Sequence, residues 1–262
     1  MRGGRSAARG GDPAEDASFI PHFTPAERAV RAADWMVDRF VDVVFILVLL
    51  IGLYFSYDSA YVFYNSRAAQ VSPYKPAGED LASLQEVAED AIAWITLDDT
   101  TVDYPIMQGE DNYEYLNKDP FGKFALAGSI FLDNRNASDF SDVYSLVYGH
   151  HMSGEYMFGA LDAYADMMYF DGHRTGTLLT ERGEIPLSII GFYQTDASDT
   201  MVFDPEEDHS NMLEFVRANS EIYREPEVRS GTDAADLRIV ALTTCKSPTT
   251  TIRTVLFAAL VE

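Results

Sequence analysis

The sequence predicts a mainly β fold, an eight-stranded β-barrel with peripheral helices, preceded by an N-terminal transmembrane helix. Three observations carry this. Beyond Ile92 the chain breaks into short apolar runs separated by turn residues, the mark of strands. Only two patches in that region, 155–164 and 208–223, repeat at helical spacing. Upstream, Val43 to Tyr57 (VVFILVLLIGLYFSY) holds no charged residue. The rest of the composition agrees with a folded chain, because 47% apolar residues in 262 suffice for a core.

The elements follow in order. Residues 1–34 read as a cytoplasmic tail, rich in Gly, Arg, Ala and Asp at its start, with a helix beginning near Thr24, where Pro25 and Glu27 follow as they do after an N-cap. Residues 35–64 read as the anchor. A bilayer-spanning helix needs roughly 20 apolar residues, and Phe40-Val41 and Ser59–Tyr64 extend the uncharged run across Asp42 and Asp58. Tyr54, Tyr57, Tyr61 and Tyr64 suit an interfacial belt. Arg28, Arg31 and Arg39 before the span, against Arg67 and Lys75 after it, put the N-terminus in the cytoplasm and the bulk outside the cell membrane. A cleaved signal peptide fits less well, since the apolar run starts about forty residues in and lacks a small-x-small site.

Residues 65–90 read as a linker and a helix over Glu79–Asp90, with Leu81, Leu84 and Val87 on one face. The barrel domain then spans 91–262. Strands are expected at Ile92–Leu97, Val102–Met107, Gly128–Leu132, Tyr144–Tyr148, Thr175–Thr180, Ile185–Thr195, Leu237–Thr244 and Ile252–Val261. Glu181–Glu184 makes the hairpin turn between the fifth and sixth.

Charge narrows the function. Residues 1–40 hold six Arg and six acidic residues, so the formal net charge of −23 falls on the remainder, with 13 Lys and Arg against 36 Asp and Glu. Neutralising phosphates needs Lys and Arg, which excludes nucleic acid as a partner. One cysteine excludes an internal disulfide framework and any multi-cysteine metal site. Acidic pairs such as Asp98-Asp99 and Glu206-Glu207 read as solvated turns, and neither a metal nor a cofactor is expected.

Cys245 ends a β-run and precedes a polar stretch, KSPTTT, a placement that suits a nucleophile held by a strand beside a loop-lined cleft. Free cysteines are also among the most buried residues, so an inert thiol is the competing reading. A thiol needs an activating partner at neutral pH. Of five histidines, His22 lies in the tail, while His173 and His209 sit in polar loops and read as solvated. His150 and His151 follow a strand, and only one of two adjacent residues on an extended segment can face a given cleft. Arg253, on the last strand, would come within reach of Cys245 if the last two strands pair, and could donate to an oxyanion.

These residues, in this order, resemble the sortases, membrane-anchored cysteine transpeptidases of Gram-positive bacteria, and class B sortases in particular. The resemblance rests on ALTTC at 241–245 with Arg253, YGHHM at 148–152, YPIMQGEDNYEYL at 104–116 and GSIFLD at 128–133. It runs from about Ile92 to the C-terminus, and Ala241 stands where the family commonly has Thr. The resemblance implies a sortase-like barrel, Cys245 as nucleophile, His150 as acid/base and Arg253 as oxyanion or substrate-positioning group. It also implies that Asn112, Leu116, Tyr148 and Thr243 contact a sorting-signal peptide. The 208–223 segment matches a long helix of class B members. Partners follow in the same way: a sorting-signal peptide of secreted proteins, a peptidoglycan precursor amine as acceptor, and the lipid bilayer. A pilin-polymerising transpeptidase using a lysine amine is the alternative within the chemistry. A membrane-tethered binding module with a buried thiol is the alternative outside it. An L,D-transpeptidase fits poorly, because Thr243-Thr244-Cys245 departs from its Ser-x-Gly-Cys pattern.

Overall fold

The computed structural model describes residues 23–65, 71–76, 81–152, 154–228, 237–245 and 251–261. The expected features at His22, Arg67, Glu79, parts of the linker and the KSPTTT connection through Thr250 lie outside the described residues. The chain divides into two units, Met1–Tyr57 and Asp58–Glu262.

The first unit is dominated by α1 (Pro25–Asn65). Its start is a capping box: the Glu27 N–H donates to Thr24 Oγ1 (3.3 Å) while the Thr24 N–H donates to Glu27 Oε2 (2.8 Å). Helix therefore begins inside the segment 1–34 that reads as tail. Among the described residues, one stretch, Pro25–Tyr61, is long and apolar enough to cross a membrane. Its large apolar side chains are exposed, as the lack of a polar face requires.

The second unit is the barrel. Its strands are β1 (Ala91–Leu97), β2 (Asp103–Met107), β3 (Ile130–Leu132), β4 (Tyr144–Gly149), β5 (His151–Met152), β6 (Tyr156–Met157), β7 (Thr175–Thr180), β8 (Gly183–Asp196), β9 (Ile222–Tyr223), β10 (Ile239–Cys245) and β11 (Ile252–Leu260). The sheet runs β11-β10-β4-β3-β2-β1-β7-β8, and β8 pairs with β11 to close an eight-stranded ring. The length of β8 makes closure possible: residues 183–188 pair with β7 and residues 187–196 pair with β11. All eight ring strands overlap those expected from sequence.

Period-two alternation divides the core. On β10 and β11, Val240, Leu242, Leu256 and Ala258 join the cluster that also holds Trp94, Ile106 and Phe192. Ala241, Val255 and Phe257 join a second cluster with Tyr144, Leu146 and Ile190, roofed by Met212 and Val216. The roof is α5 (Met212–Asn219). These strands are buried on both faces, which is why they read as continuous apolar runs rather than as alternation.

The helices depart from expectation. The expected helix over 79–90 is one turn, α2 (Ala82–Gln85). Leu81 and Leu84 are buried, but Val87 is 45% exposed, so the apolar face does not continue. Over 155–164, Glu155 and Met157 take positive φ (62° and 52°), which an α-helix cannot contain. The chain forms the β5–β6 hairpin there, then a 3-10 run at Phe158–Ala165 and α3 (Met167–Gly172), capped by Asp166. The helix expected over 208–223 is confined to 212–219, because the Asp208 carboxylate accepts the Ser210 N–H and Ile222–Tyr223 pairs with β8. A short α4 (Thr200–Phe203) precedes it.

Candidate active site

Three neighbouring strands bring the predicted site residues to one end of the barrel. β10 lies parallel to β4 with Thr244 opposite Gly149, so Cys245 and His150 are the next residues along adjacent strands. β11 returns antiparallel with Arg253 opposite Cys245. Adjacent strands stand about 4.8 Å apart, so the three backbones cross one edge within about 10 Å. Burial of these strands on both faces makes this a rigid frame.

The edge opens into a cleft of about 320 Å³. His150, Arg253 and all four predicted peptide contacts, Asn112, Leu116, Tyr148 and Thr243, line it. Sequence reasoning missed Tyr113, Phe131, Ala197 and Phe203, which complete a mostly apolar wall.

The two histidines diverge as expected for neighbours on extended chain. His150 is half-buried, with Nε2 2.8 Å from the Leu116 carbonyl oxygen. A carbonyl can only accept, so Nε2 carries a proton and Nδ1 is left for proton transfer. His151 turns to Asp162 instead, with Nε2 2.9 Å from Oδ2, while Asp162 Oδ1 accepts from Thr254 Oγ1 (3.1 Å). Among the described residues, the other two histidines pack against aromatic rings rather than standing free in solvent. His209 is 6% exposed, stacked on Tyr144 and bonded to the Met201 carbonyl, and His173 stacks on Tyr169. Each polar loop folds back onto an aromatic ring, which local sequence does not reveal.

The carbonyl that holds His150 lies hard against a glycine. Gly128 has φ +58°, and a Cβ there would lie 2.5 Å from the Leu116 oxygen and 2.6 Å from that of Tyr115. Gly128→Ala therefore strains the backbone and pushes on the acceptor of His150. We expect a loss of about 1–3 kcal/mol in urea unfolding, accompanied by reduced activity.

The polar wall centres on Asp133, which sequence reasoning quoted only as the end of GSIFLD. Asp133 is fully buried. Burial alone would push its carboxyl up, but Arg135, by hydrogen bonds and charge, with Asn112, brings it below the ordinary range. A depressed folded-state value means that its stabilisation is complete above the unfolded value near 3.9 and disappears as pH falls through the folded one. Urea unfolding followed from about pH 6 down to about pH 3 should show wild type losing stability more steeply than Asp133→Asn. At the rim, Asp196 faces Ile252 and is held low by hydrogen bonds from Thr251 and Ser198, with the Arg253 charge adding.

Among the described residues no group of three or more His, Cys, Asp or Glu comes together to hold a metal ion. The arrangement suits acyl transfer on a strand edge: a thiol position, an imidazole with one nitrogen free for protons, and a guanidinium.

Known proteins are similar to this chain in sequence and fold. The chain is 32% identical over 191 residues to Sortase B of Listeria monocytogenes serovar 1/2a, covering 72% of this chain and 76% of the relative. Among solved structures it is similar to Spy0129, a Streptococcus pyogenes class B sortase involved in pilus biogenesis, with a TM-score of 0.61, 35% identity and coverage of 69% and 97%. Sortase B from B. anthracis gives a TM-score of 0.65 and 29% identity, covering 79% of this chain and 99% of that one. No family model matches the chain.

Proposed function

The chain belongs to the sortase B family of cysteine transpeptidases, and from that premise we propose that it cleaves a sorting signal on secreted proteins and transfers them to a peptidoglycan amine. The observation that carries this reading is the row His150–Cys245–Arg253 across β4, β10 and β11.

The Cys245 thiolate attacks a backbone carbonyl carbon of the signal, forming a C–S bond and an oxyanion. Arg253 donates to that oxyanion. As the tetrahedral species collapses, the C–N bond breaks and His150 Nδ1–H protonates the departing amine, leaving a thioester. An acceptor amine then attacks the thioester carbonyl, gives a proton back to His150 and releases Cys245 as a new amide forms. Asn112, Leu116, Tyr148 and Thr243 hold the peptide along the cleft.

In this reading α1 spans the bilayer, residues before it are cytoplasmic, and the barrel, from about residue 91, works on the outer face behind a linker. The inward-side excess of Arg and the uncharged run from Val43 to Tyr57 support it.

A second reading changes only the acceptor, to a lysine amine of a pilin. It is favoured by the 35% identity to Spy0129, a class B sortase involved in pilus biogenesis. Acceptor choice distinguishes the two.

The test is capture. Full-length chain in detergent is incubated with sorting-signal pentapeptides, of Asn-Pro-x-Thr-like and Pro-x-Thr-Gly-like composition, and followed by intact mass spectrometry. A peptide-dependent mass gain, released by an added amine, is expected. Release by a peptidoglycan stem-peptide amine supports wall anchoring; release only by a lysine-bearing pilin peptide supports the second reading. Arg253→Lys keeps the charge but loses the planar fork. Its kcat is expected to fall by about 10²–10³-fold, and near-normal turnover would show that bidentate geometry does not matter.

A further inference from the structure

The polar wall of the cleft is organised by a residue that the proposed steps leave unused. Asp133 follows β3 and does not itself line the cleft, yet two residues that do are bonded to it. Its Oδ2 accepts from Asn112 Nδ2 (2.8 Å), Tyr148 Oη (3.1 Å) and Arg135 Nη2 (3.0 Å). Its Oδ1 accepts from Arg135 Nε (2.9 Å) and the Arg135 backbone N–H (3.0 Å). Arg135 continues to Asp204 Oδ1 (2.7 Å) and to the carbonyl of Phe203, another residue of the cleft wall.

Proton bookkeeping then decides what the cleft can offer. An ionised carboxylate only accepts, so Tyr148 spends its single hydroxyl proton on Asp133 and turns only lone pairs elsewhere. The Asn112 amide cannot flip, because its Nδ2 donates to a carboxylate while its Oδ1 accepts the Asn134 N–H (2.9 Å). Thr243 Oγ1 likewise donates away, to the Thr254 carbonyl (3.3 Å). Of the four predicted peptide contacts, the two that carry hydroxyls, Tyr148 and Thr243, therefore present acceptors.

We infer that Asp133 is a positioning residue that sets the hydrogen-bond polarity of the cleft, so that the substrate group meeting Tyr148 is a neutral donor, an amide or hydroxyl, and not a carboxylate. This rests on the reading of the cleft as the peptide site. Opposed acceptors leave a carboxylate without a proton to share, and a buried unpaired polar group is costly.

The test measures peptide binding to the full-length Cys245→Ala chain in detergent by calorimetry. Pentapeptides carry matched Asn/Asp and Gln/Glu pairs at each position, in about 0.5 M salt to screen net charge. At one position the amide member should bind at least about tenfold tighter; equal affinities at every position overturn the inference. In the turnover assay, Tyr148→Phe and Asp133→Asn should each raise KM about tenfold with kcat within about threefold and narrow the amide preference. Glu184→Gln, which removes a charge from the exposed β7–β8 hairpin, should change neither. A fall in kcat with the preference intact would make Asp133 merely structural. If Asp133→Asn does not fold, Tyr148→Phe, which removes one oxygen, decides: an unchanged preference overturns the inference. Failure of the underlying reading looks different, since peptides would then bind with this polarity yet never form a thioester on the native chain.

Discussion

Cys245→Ala abolishes thioester capture and amide transfer, with a loss of at least about 10⁴-fold in kcat/KM. The size follows from the chemistry, because no other step can begin without a nucleophile and groups acting as a unit fail together. The strand should survive: β10 pairs with β4 and β11 along its length through backbone bonds that alanine keeps. Intact mass spectrometry with each peptide, and thermal unfolding of the same sample, check both halves. A variant that still transfers peptide would sink the assignment of Cys245. A native thiol that neither captures peptide nor reacts with an alkylating agent would instead favour the binding module with an inert cysteine.

His150→Ala is expected to lose about 10²–10⁴-fold in transfer, the usual worth of a positioned acid/base, while His151→Ala stays within about threefold. The difference is geometric. His150 lines the cleft with Nε2 fixed by the Leu116 carbonyl, whereas His151 is committed to Asp162, with 29% and 40% of the two side chains exposed. A partly exposed polar pair of this kind contributes little, and its loss leaves the cleft unaltered. Single-turnover acylation rates on the two variants separate the cases. If His151→Ala were the inactive one and His150→Ala the active one, the assignment of the acid/base would be wrong.

Much of the barrel was legible because strands announce themselves locally. Apolar runs of strand length, bounded by turn residues, located every ring strand to within a few residues. The extent of the helices in the connections was less legible. Their residues repeat at helical spacing, but two positive φ values at Glu155 and Met157 and the pairing of Ile222–Tyr223 with β8 override that pattern. Such overrides arise from contacts distant in sequence, which periodicity does not encode.

The site divides the same way. Residue types alone marked Cys245, the His150-His151 pair and Arg253 as reactive groups on or beside strands, and the order of their motifs pointed to the family they resemble, which implied His150. Only the tertiary structure set Cys245 beside both strand partners, bonded His150 to Leu116 and His151 to Asp162, and built the Asp133 hub. That hub joins residues up to 69 positions apart, such as Arg135 and Asp204. Local chemistry is written in the residue types, whereas the hydrogen-bond polarity of a cleft depends on which donors the fold has already committed elsewhere.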